Sequence, residues 1–544
     1  MSRRRFFDDA IGAAKKGAGL STALWIFCSG ANVAEAARYL VKMRAGSSLN
    51  PQSRQSIRAA NTRALSVEMS RALSIGSKSR SLEDLGIVVV EGQPGEIQNM
   101  LKSHPLVDYY ESEREWKIAS YEDQPYPSSQ NFAPWMKDLL GLNADSPNPD
   151  VIYSGEKPVV VAVIDTGTNI THPFLRSALS TNASELNGVS GEDDDGNGYV
   201  DDLHGASVFS EDGDVSETQT NHGTHVAGII KSIRDQAIVT HPEAAAVQIL
   251  PVRFINNDGV GSTSGAIEAL EYAVARGSSV VNASWGARGE EAYSRALFDA
   301  FVELYNKDIV ITVAAGNAER GVANNNDATP YFPANFRIPG LISIASVTPV
   351  YGPERTYRDV FLSSFSNYGV NTVDVAAPGD YMDEAGGTGI WSSYSRFATS
   401  ASAYIRKKGT SMATPVVSGI AGVVRALNPS LTNYEVKQLI LAQATQTPKL
   451  SKVRSSAMVT AENTFAAAQT AETHGLRPEV GDPGYGGGSS SESSAAEKRK
   501  GACGTVRDIA SNEGPMGGNS LLLLAGLYFL VRQLRSIFRR SPVL

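Results

Sequence analysis

The segment that most limits what this chain can fold into runs from Lys157 to Gly167 and reads Lys-Pro-Val-Val-Val-Ala-Val-Ile-Asp-Thr-Gly. An unbroken, mostly β-branched apolar run cannot alternate between a wet and a dry face. It therefore predicts a strand buried on both sides, as in a parallel sheet with helices on both faces. Open α/β sheets place their chemistry beyond the carboxyl ends of such strands, and Asp165 stands at this one. A second run, Asp308 to Asn317, reads Asp-Ile-Val-Ile-Thr-Val-Ala-Ala-Gly-Asn and ends in the same manner on Asn317. The fold class expected is α/β, and 544 residues leave room for three to four units. With 42% hydrophobic residues, 19% charged residues and 50 glycines, the chain suits a turn-rich globular enzyme. Its net charge of -8 offers no basic field for a phosphate backbone, so nucleic acid is not an expected partner.

Two polar clusters open onto small and apolar residues in the way buried helices begin. Asn221-His222-Gly223-Thr224-His225-Val226-Ala227-Gly228 puts His222 at one helix start, and Gly409-Thr410-Ser411-Met412-Ala413-Thr414-Pro415 puts Ser411 at another. The first amides of a helix have no partner within it and can face a reacting group. A serine hydroxyl becomes a nucleophile when an imidazole takes its proton, and the imidazole needs a carboxylate to fix its tautomer and stabilise its charged form. Asp165, His222 and Ser411 supply the three types. Taken singly, each has a structural reading as a turn former or a core residue; the three together point to a triad. His225 lies three residues beyond His222, and no glutamate falls between them as the helical zinc-protease motif requires, so His225 reads as structural.

The order Asp, His, Ser and the blocks Val-Ile-Asp-Thr-Gly, His-Gly-Thr-His-Val-Ala-Gly and Gly-Thr-Ser-Met-Ala-Thr-Pro resemble the three signature blocks of the subtilisin-like serine proteases. The resemblance covers residues 123–470. It implies serine-type endopeptidase activity on protein or peptide substrates through an acyl-enzyme on Ser411, with Asn317 as oxyanion-hole amide and no organic cofactor. It also implies that Gly259, Gly261, Ser284, Trp285 and Gly286 flank an extended substrate backbone to backbone. Trp285 replaces the smaller aliphatic residue usual in the family; reshaping of a subsite and packing under the sheet end are both open readings. A transpeptidase or macrocyclase on the same fold is the alternative activity, and an inactive binding module is a further one, which the intact constellation argues against.

The acidic run Glu192 to Asp202 offers Asp193, Asp195, Asn197 and Asp201 at the spacing of the first part of a calcium loop. A surface Asp-Gly turn is the competing reading, because the twelfth position is His204 rather than Glu.

Residues 1–36 carry Arg3, Arg4 and Arg5, an apolar stretch and Ala34-Glu35-Ala36, the order of a signal peptide, so the chain is expected to be exported to the cell envelope, the cell surface or the medium. The arginine cluster fits the twin-arginine route as well as the general one. Residues 37–122 read as strand (39–43), helix (50–74), strand (86–90), helix (95–103) and strand (107–118), a small ferredoxin-like α+β unit. Its position resembles that of the inhibitory propeptide of subtilisin-like enzymes, which would make the unit an internal inhibitor cut off between Ile118 and Ser129. A flexible linker (471–516) follows the catalytic domain (123–470), rich in Gly, Ser and charge from Gly481 to Lys500. The tail (517–544) places Leu521 to Val531 before four arginines, as in a membrane anchor or a bacterial sorting signal. Loss of Cys28 with the signal would leave Cys503 without an internal disulfide partner; it reads either as an attachment residue or as an incidental thiol.

Overall fold

The computed structural model describes residues 37–44, 60–66, 78–82, 86–122, 140–142, 151–217, 220–351, 357–381, 388–394 and 404–481. The signal segment, Cys28, Cys503, the tail and most of the linker lie outside the described residues.

The Val159–Asp165 strand lies inside a ten-stranded sheet, parallel to Ser278–Ala283 on one side and to Val247–Arg253 on the other. Parallel pairing continues outward through Val310–Ala314, Leu341–Tyr351, Val375–Pro378 and Ala457–Met458, and the antiparallel strand Thr445–Gln446 closes that edge. Its side chains divide between two cores, as burial on both faces requires. Val161 and Val163 meet the helices His222–Ile238 and Thr410–Leu427, while Val160, Ala162 and Ile164 face the helices Thr263–Ala275 and Arg295–Asn306. The two helices of the first face approach closely at Gly419, where an added Cβ would lie 2.9 Å from the Cβ of Ile233. The fold is thus the expected α/β sandwich.

The N-terminal unit is a four-stranded antiparallel sheet, ordered Lys78–Leu82, Ile87–Gly92, Ala37–Met43 and Val107–Ser112, with the helix Pro94–Leu101. The Lys78–Leu82 edge strand was not expected, since its polar residues carry no alternating pattern. One face packs its own core of Tyr39, Val41, Val88, Val90, Ile97 and Leu101. The other sends Leu40, Ile87 and Val89 into the second core of the large domain.

The strand expected over 107–118 is divided in two. Val107–Ser112 stays in the small sheet, while Glu115–Ile118 leaves it and pairs with strands of the large domain. The intervening residues are drawn to the start of the Thr263–Ala275 helix. Glu113 accepts from the Ser264 N–H at 3.0 Å, and the Arg114 N–H donates to Thr263 Oγ1 at 3.2 Å. Glu111 likewise accepts from the Arg295 and Ala296 amides at 3.0 and 3.3 Å. Carboxylates at the positive ends of these helices complement unpaired amides and helix dipole together.

Candidate active site

Strand ends and helix starts meet at the carboxyl edge of the parallel sheet. Asp165 is the last residue of its strand and wholly buried; its Oδ1 accepts from His222 Nδ1 at 2.7 Å and from the Thr166 N–H at 2.8 Å. That arrangement holds the neutral imidazole with its proton on Nδ1 and leaves Nε2 as an acceptor. Nε2 is buried with no partner among the described residues. His222 opens its helix directly after Asn221, which sits at φ 53° and makes no side-chain cap.

Ser411 is the second residue of the helix Thr410–Leu427. Its hydroxyl donates to the Ser284 carbonyl at 2.7 Å, and its backbone N–H donates to the carbonyl oxygen of Ala119 at 3.2 Å. Asn317 anchors the same helix start, its Oδ1 accepting from the Thr410 N–H at 3.0 Å, and its Nδ2 is a buried donor with no partner among the described residues. A Cβ at Gly409 would lie 2.6 Å from the Ala119 oxygen, 2.9 Å from Ser120 Cα and 3.2 Å from that Nδ2. Only glycine lets the chain at Ala119 and Ser120 come this close to both donors.

The chain's own N-terminal segment therefore fills the cleft. Glu115–Ile118 forms an antiparallel strand between Val260–Ser262 and Trp285–Gly286, with Gly261 opposite Trp116, Trp285 opposite Ile118 and Gly286 opposite Lys117. The Ile118 N–H donates to the Gly259 carbonyl at 3.3 Å and the Ala119 N–H to the Ser284 carbonyl at 3.2 Å. All five expected substrate-flanking residues border this segment. Beyond Ser120, Tyr121–Glu122 pairs with the strand Tyr404–Lys408, so the chain is gripped on both sides of the Ala119–Ser120 bond.

Side chains mark two pockets. Trp116 is wholly buried, donates from Nε1 to Thr263 Oγ1 at 3.0 Å and meets the Trp285 ring edge-on at 5.7 Å. Trp285 also packs on Phe254 at 4.9 Å and donates to the Ile164 carbonyl at 2.9 Å beneath the sheet end. Beside Ala119 lies a cavity of about 450 Å³ bordered by Gly286, Ala287, Asn317, Ala318 and Tyr331. The Tyr331 ring occupies the space a side chain at Gly286 or Gly316 would need. Its phenol is held well above the usual range by burial and then by the charge of Glu319.

His225 Nε2 donates to the backbone carbonyls of Ile390 and Ile405 at 2.9 and 3.2 Å; as a carbonyl only accepts, Nε2 carries the proton. Burial, and then the Lys407 charge, holds its pKa well below the usual value, in line with a neutral structural ring.

In the acidic loop the structure regroups the expected ligands. Asp193 accepts from the Asn197 and Gly198 amides and Asp201 from the Gly191 amide, so both act as turn formers. Asn197 serves Asp202, donating from Nδ2 at 3.0 Å. Of the four expected, Asp195 alone joins a cluster, with Glu185 and Asp202, whose ligand atoms lie within 4.8 Å of one another. Glu185 and Asp202 escaped the sequence reading because they lie outside the loop spacing, one of them on the helix Ala183–Asn187.

Together these features define a class: a parallel α/β protein with an Asp–His pair and a serine-bearing helix start at the carboxyl edge of its sheet. Comparison with known sequences supplies the family. The subtilase family matches residues 156–471, more than half of the chain, and the chain belongs to that family. Subtilisin-like protease 1 of Plasmodium vivax is 29% identical over 324 residues, which cover 58% of this chain and 48% of that protein. Thermitase of Thermoactinomyces vulgaris is 29% identical over 312 residues, covering 57% and 88% respectively. This chain thus spans about half the length of the Plasmodium relatives. The fold is similar to that of fervidolysin from Fervidobacterium pennivorans, with TM-score 0.51 and 19% identity over 79% of this chain and 61% of that one.

Proposed function

We propose that this chain is an exported serine endopeptidase whose first substrate is its own Ala119–Ser120 bond. The observation behind this reading is the Ala119 carbonyl oxygen on the Ser411 N–H, in a chain that continues across the site to pair on the far side.

Rotation of the Ser411 hydroxyl from Ser284 to His222 Nε2 opens the reaction. His222 takes the proton as Oγ attacks the Ala119 carbonyl carbon, and Asp165 stabilises the imidazolium. The Ser411 N–H and Asn317 Nδ2 receive the negative charge that develops on the Ala119 oxygen. Collapse breaks the bond to Ser120, whose nitrogen leaves with the proton from His222. Water, deprotonated by His222, then releases the acyl group and restores Ser411. Residues 37–119 are on this reading the inhibitory propeptide, held afterwards by its strand pairing and by Glu111 and Glu113 at the two helix starts. Its last residues also describe a favoured substrate, with a small residue before the cut and an aromatic one three residues earlier. Burial of an aromatic side chain of that size contributes about 2–3 kcal/mol.

Incubation of the purified protein with a peptide library, followed by mass spectrometry, tests the activity. Hydrolysis products that fall about a million-fold in rate for Ser411→Ala support it. Ligated or cyclised products would assign a transpeptidase instead, and no products at all would leave a binding module.

A structural calcium ion at Glu185, Asp195 and Asp202 completes the proposal. Among the described residues Glu185 Oε2 is buried without a partner, as a ligand awaiting a cation would be, and oxygen donors are what calcium takes. Chelation is expected to lower the melting temperature of the wild type but not of Asp195→Ala, since metal held only by the native state adds to its stability. Equal melting with and without chelator in the wild type contradicts the site.

A further inference from the structure

One buried carboxylate near the site has no part in the chemistry above. Glu217, 6% exposed, lies in the polar segment that precedes the histidine helix. Its Oε1 accepts from the His222 N–H at 2.6 Å, the Gly223 N–H at 3.2 Å and the Thr220 hydroxyl at 2.6 Å. Its Oε2 accepts from the Thr224 N–H at 2.9 Å and the Thr224 hydroxyl at 2.6 Å. Asn221, at the position where a capping side chain normally acts, makes no cap, and Glu217 reaches all three of the first amides of this helix, sharing that of Gly223 with the Thr166 hydroxyl.

The same carboxylate reaches the aspartate. The Thr166 hydroxyl donates to Glu217 Oε1 and accepts from the Gly223 N–H at 3.0 Å, while the Thr166 N–H donates to Asp165 Oδ1. Asp165 and His222, which come from a strand end and a helix start 57 residues apart, are thus tied to one fixed acceptor as well as to each other. A helix cap alone would not need the link through Thr166. A device that sets the imidazole against its carboxylate would.

We infer that Glu217 is a positioning residue for the catalytic pair. It holds the His222 backbone and, through Thr166, the Asp165 carboxylate, and it sets a second negative charge beside the imidazole that becomes positive in the transition state. The other charged or titratable groups around His222 are Asp165 at the strand end, His225 one turn along the same helix, and Lys407 on the neighbouring strand, whose ammonium donates to the Thr220 carbonyl at 3.0 Å. The inference rests on the peptidase reading, yet part of its test does not need turnover.

Glu217→Gln keeps the size and removes the charge. It is expected to lower kcat by about 10- to 100-fold, the scale for losing a charged hydrogen-bond partner, with KM within about twofold. The acid limb of the kcat profile should move to lower pH, because a negative charge that favours the imidazolium is gone. Thr166→Val removes the hydroxyl that ties Glu217 to the Asp165 strand end and shares the Gly223 N–H, and leaves the Glu217 bonds to the His222 and Thr224 amides, so it should lower kcat by a smaller factor without changing KM, and it serves if Glu217→Gln fails to fold. In the Ser411→Ala background, proton NMR should show the His222 Nδ1–H resonance shifted by each substitution. Wild-type kcat, an unmoved acid limb and an unmoved resonance in both variants overturn the inference. If the wild type itself does not hydrolyse peptide, the peptidase reading fails while the resonance still decides the role of Glu217.

Discussion

The two helices that enter the site begin alike and are finished in opposite ways. At the His222 helix every one of the first three amides is taken up by a protein carboxylate. At the Ser411 helix a neutral amide oxygen, from Asn317, takes the Thr410 N–H and leaves the Ser411 N–H for the Ala119 carbonyl. Neither helix uses its own N-cap residue, Asn221 or Gly409, for the purpose. On the proposed peptidase reading, the difference follows from what each end must do. The histidine end must hold one geometry and favour positive charge, so its donors are saturated and an anion lies beside it. The serine end must receive a charge that exists only during reaction, so its donors stay open and its cap carries no charge to oppose an oxyanion.

The sharpest way to break this contrast is at Asn317. Asn317→Ala removes both the oxygen that caps Thr410 and the unpartnered Nδ2, and is expected to cost about 100- to 1000-fold in kcat, more than loss of the saturated end at Glu217. Thr410→Val separates the two duties. It deletes the hydroxyl that donates to Asn317 Oδ1 at 3.1 Å, leaves Nδ2 in place, and should lower kcat only by about three- to tenfold. Steady-state kinetics on a peptide drawn from Trp116 to Tyr121 measures both. Equal losses for Asn317→Ala and Thr410→Val would show that Asn317 serves only as a cap, and the contrast between the two ends would collapse.

The residues proposed to carry the chemistry were legible because each lies in a local pattern whose physics is written in consecutive positions. A buried strand ending in Asp165 or leading to Asn317, and small residues behind His222 and Ser411, are such patterns. Gly259, Gly261, Ser284, Trp285 and Gly286 were reached by resemblance and lie along the bound segment. What escaped was set by tertiary placement. Glu217 stands among Ser216, Glu217, Thr218, Gln219 and Thr220, a stretch that reads as solvated loop, and only folding onto Thr166 makes it a cap. Val107 to Ile118 reads as one strand because β-formers lie on both sides of Glu113 and Arg114, and the break falls where the start of the Thr263–Ala275 helix claims those two residues. Tyr331 is distant in sequence from Gly286, yet its ring fills the space that glycine leaves. The acidic loop misled for the opposite reason, since its spacing mimics a calcium loop while most of its carboxylates bind their own backbone.

The most direct test of the account is the intact mass of the exported wild-type and Ser411→Ala proteins, produced in a host without other proteases. The account predicts that both lose the leader, that the wild type is cut between Ala119 and Ser120, and that Ser411→Ala keeps residues 37–119 covalently attached. Removal of that unit from Ser411→Ala at the same bond and rate, or a wild-type cut elsewhere than Ala119–Ser120, would contradict it.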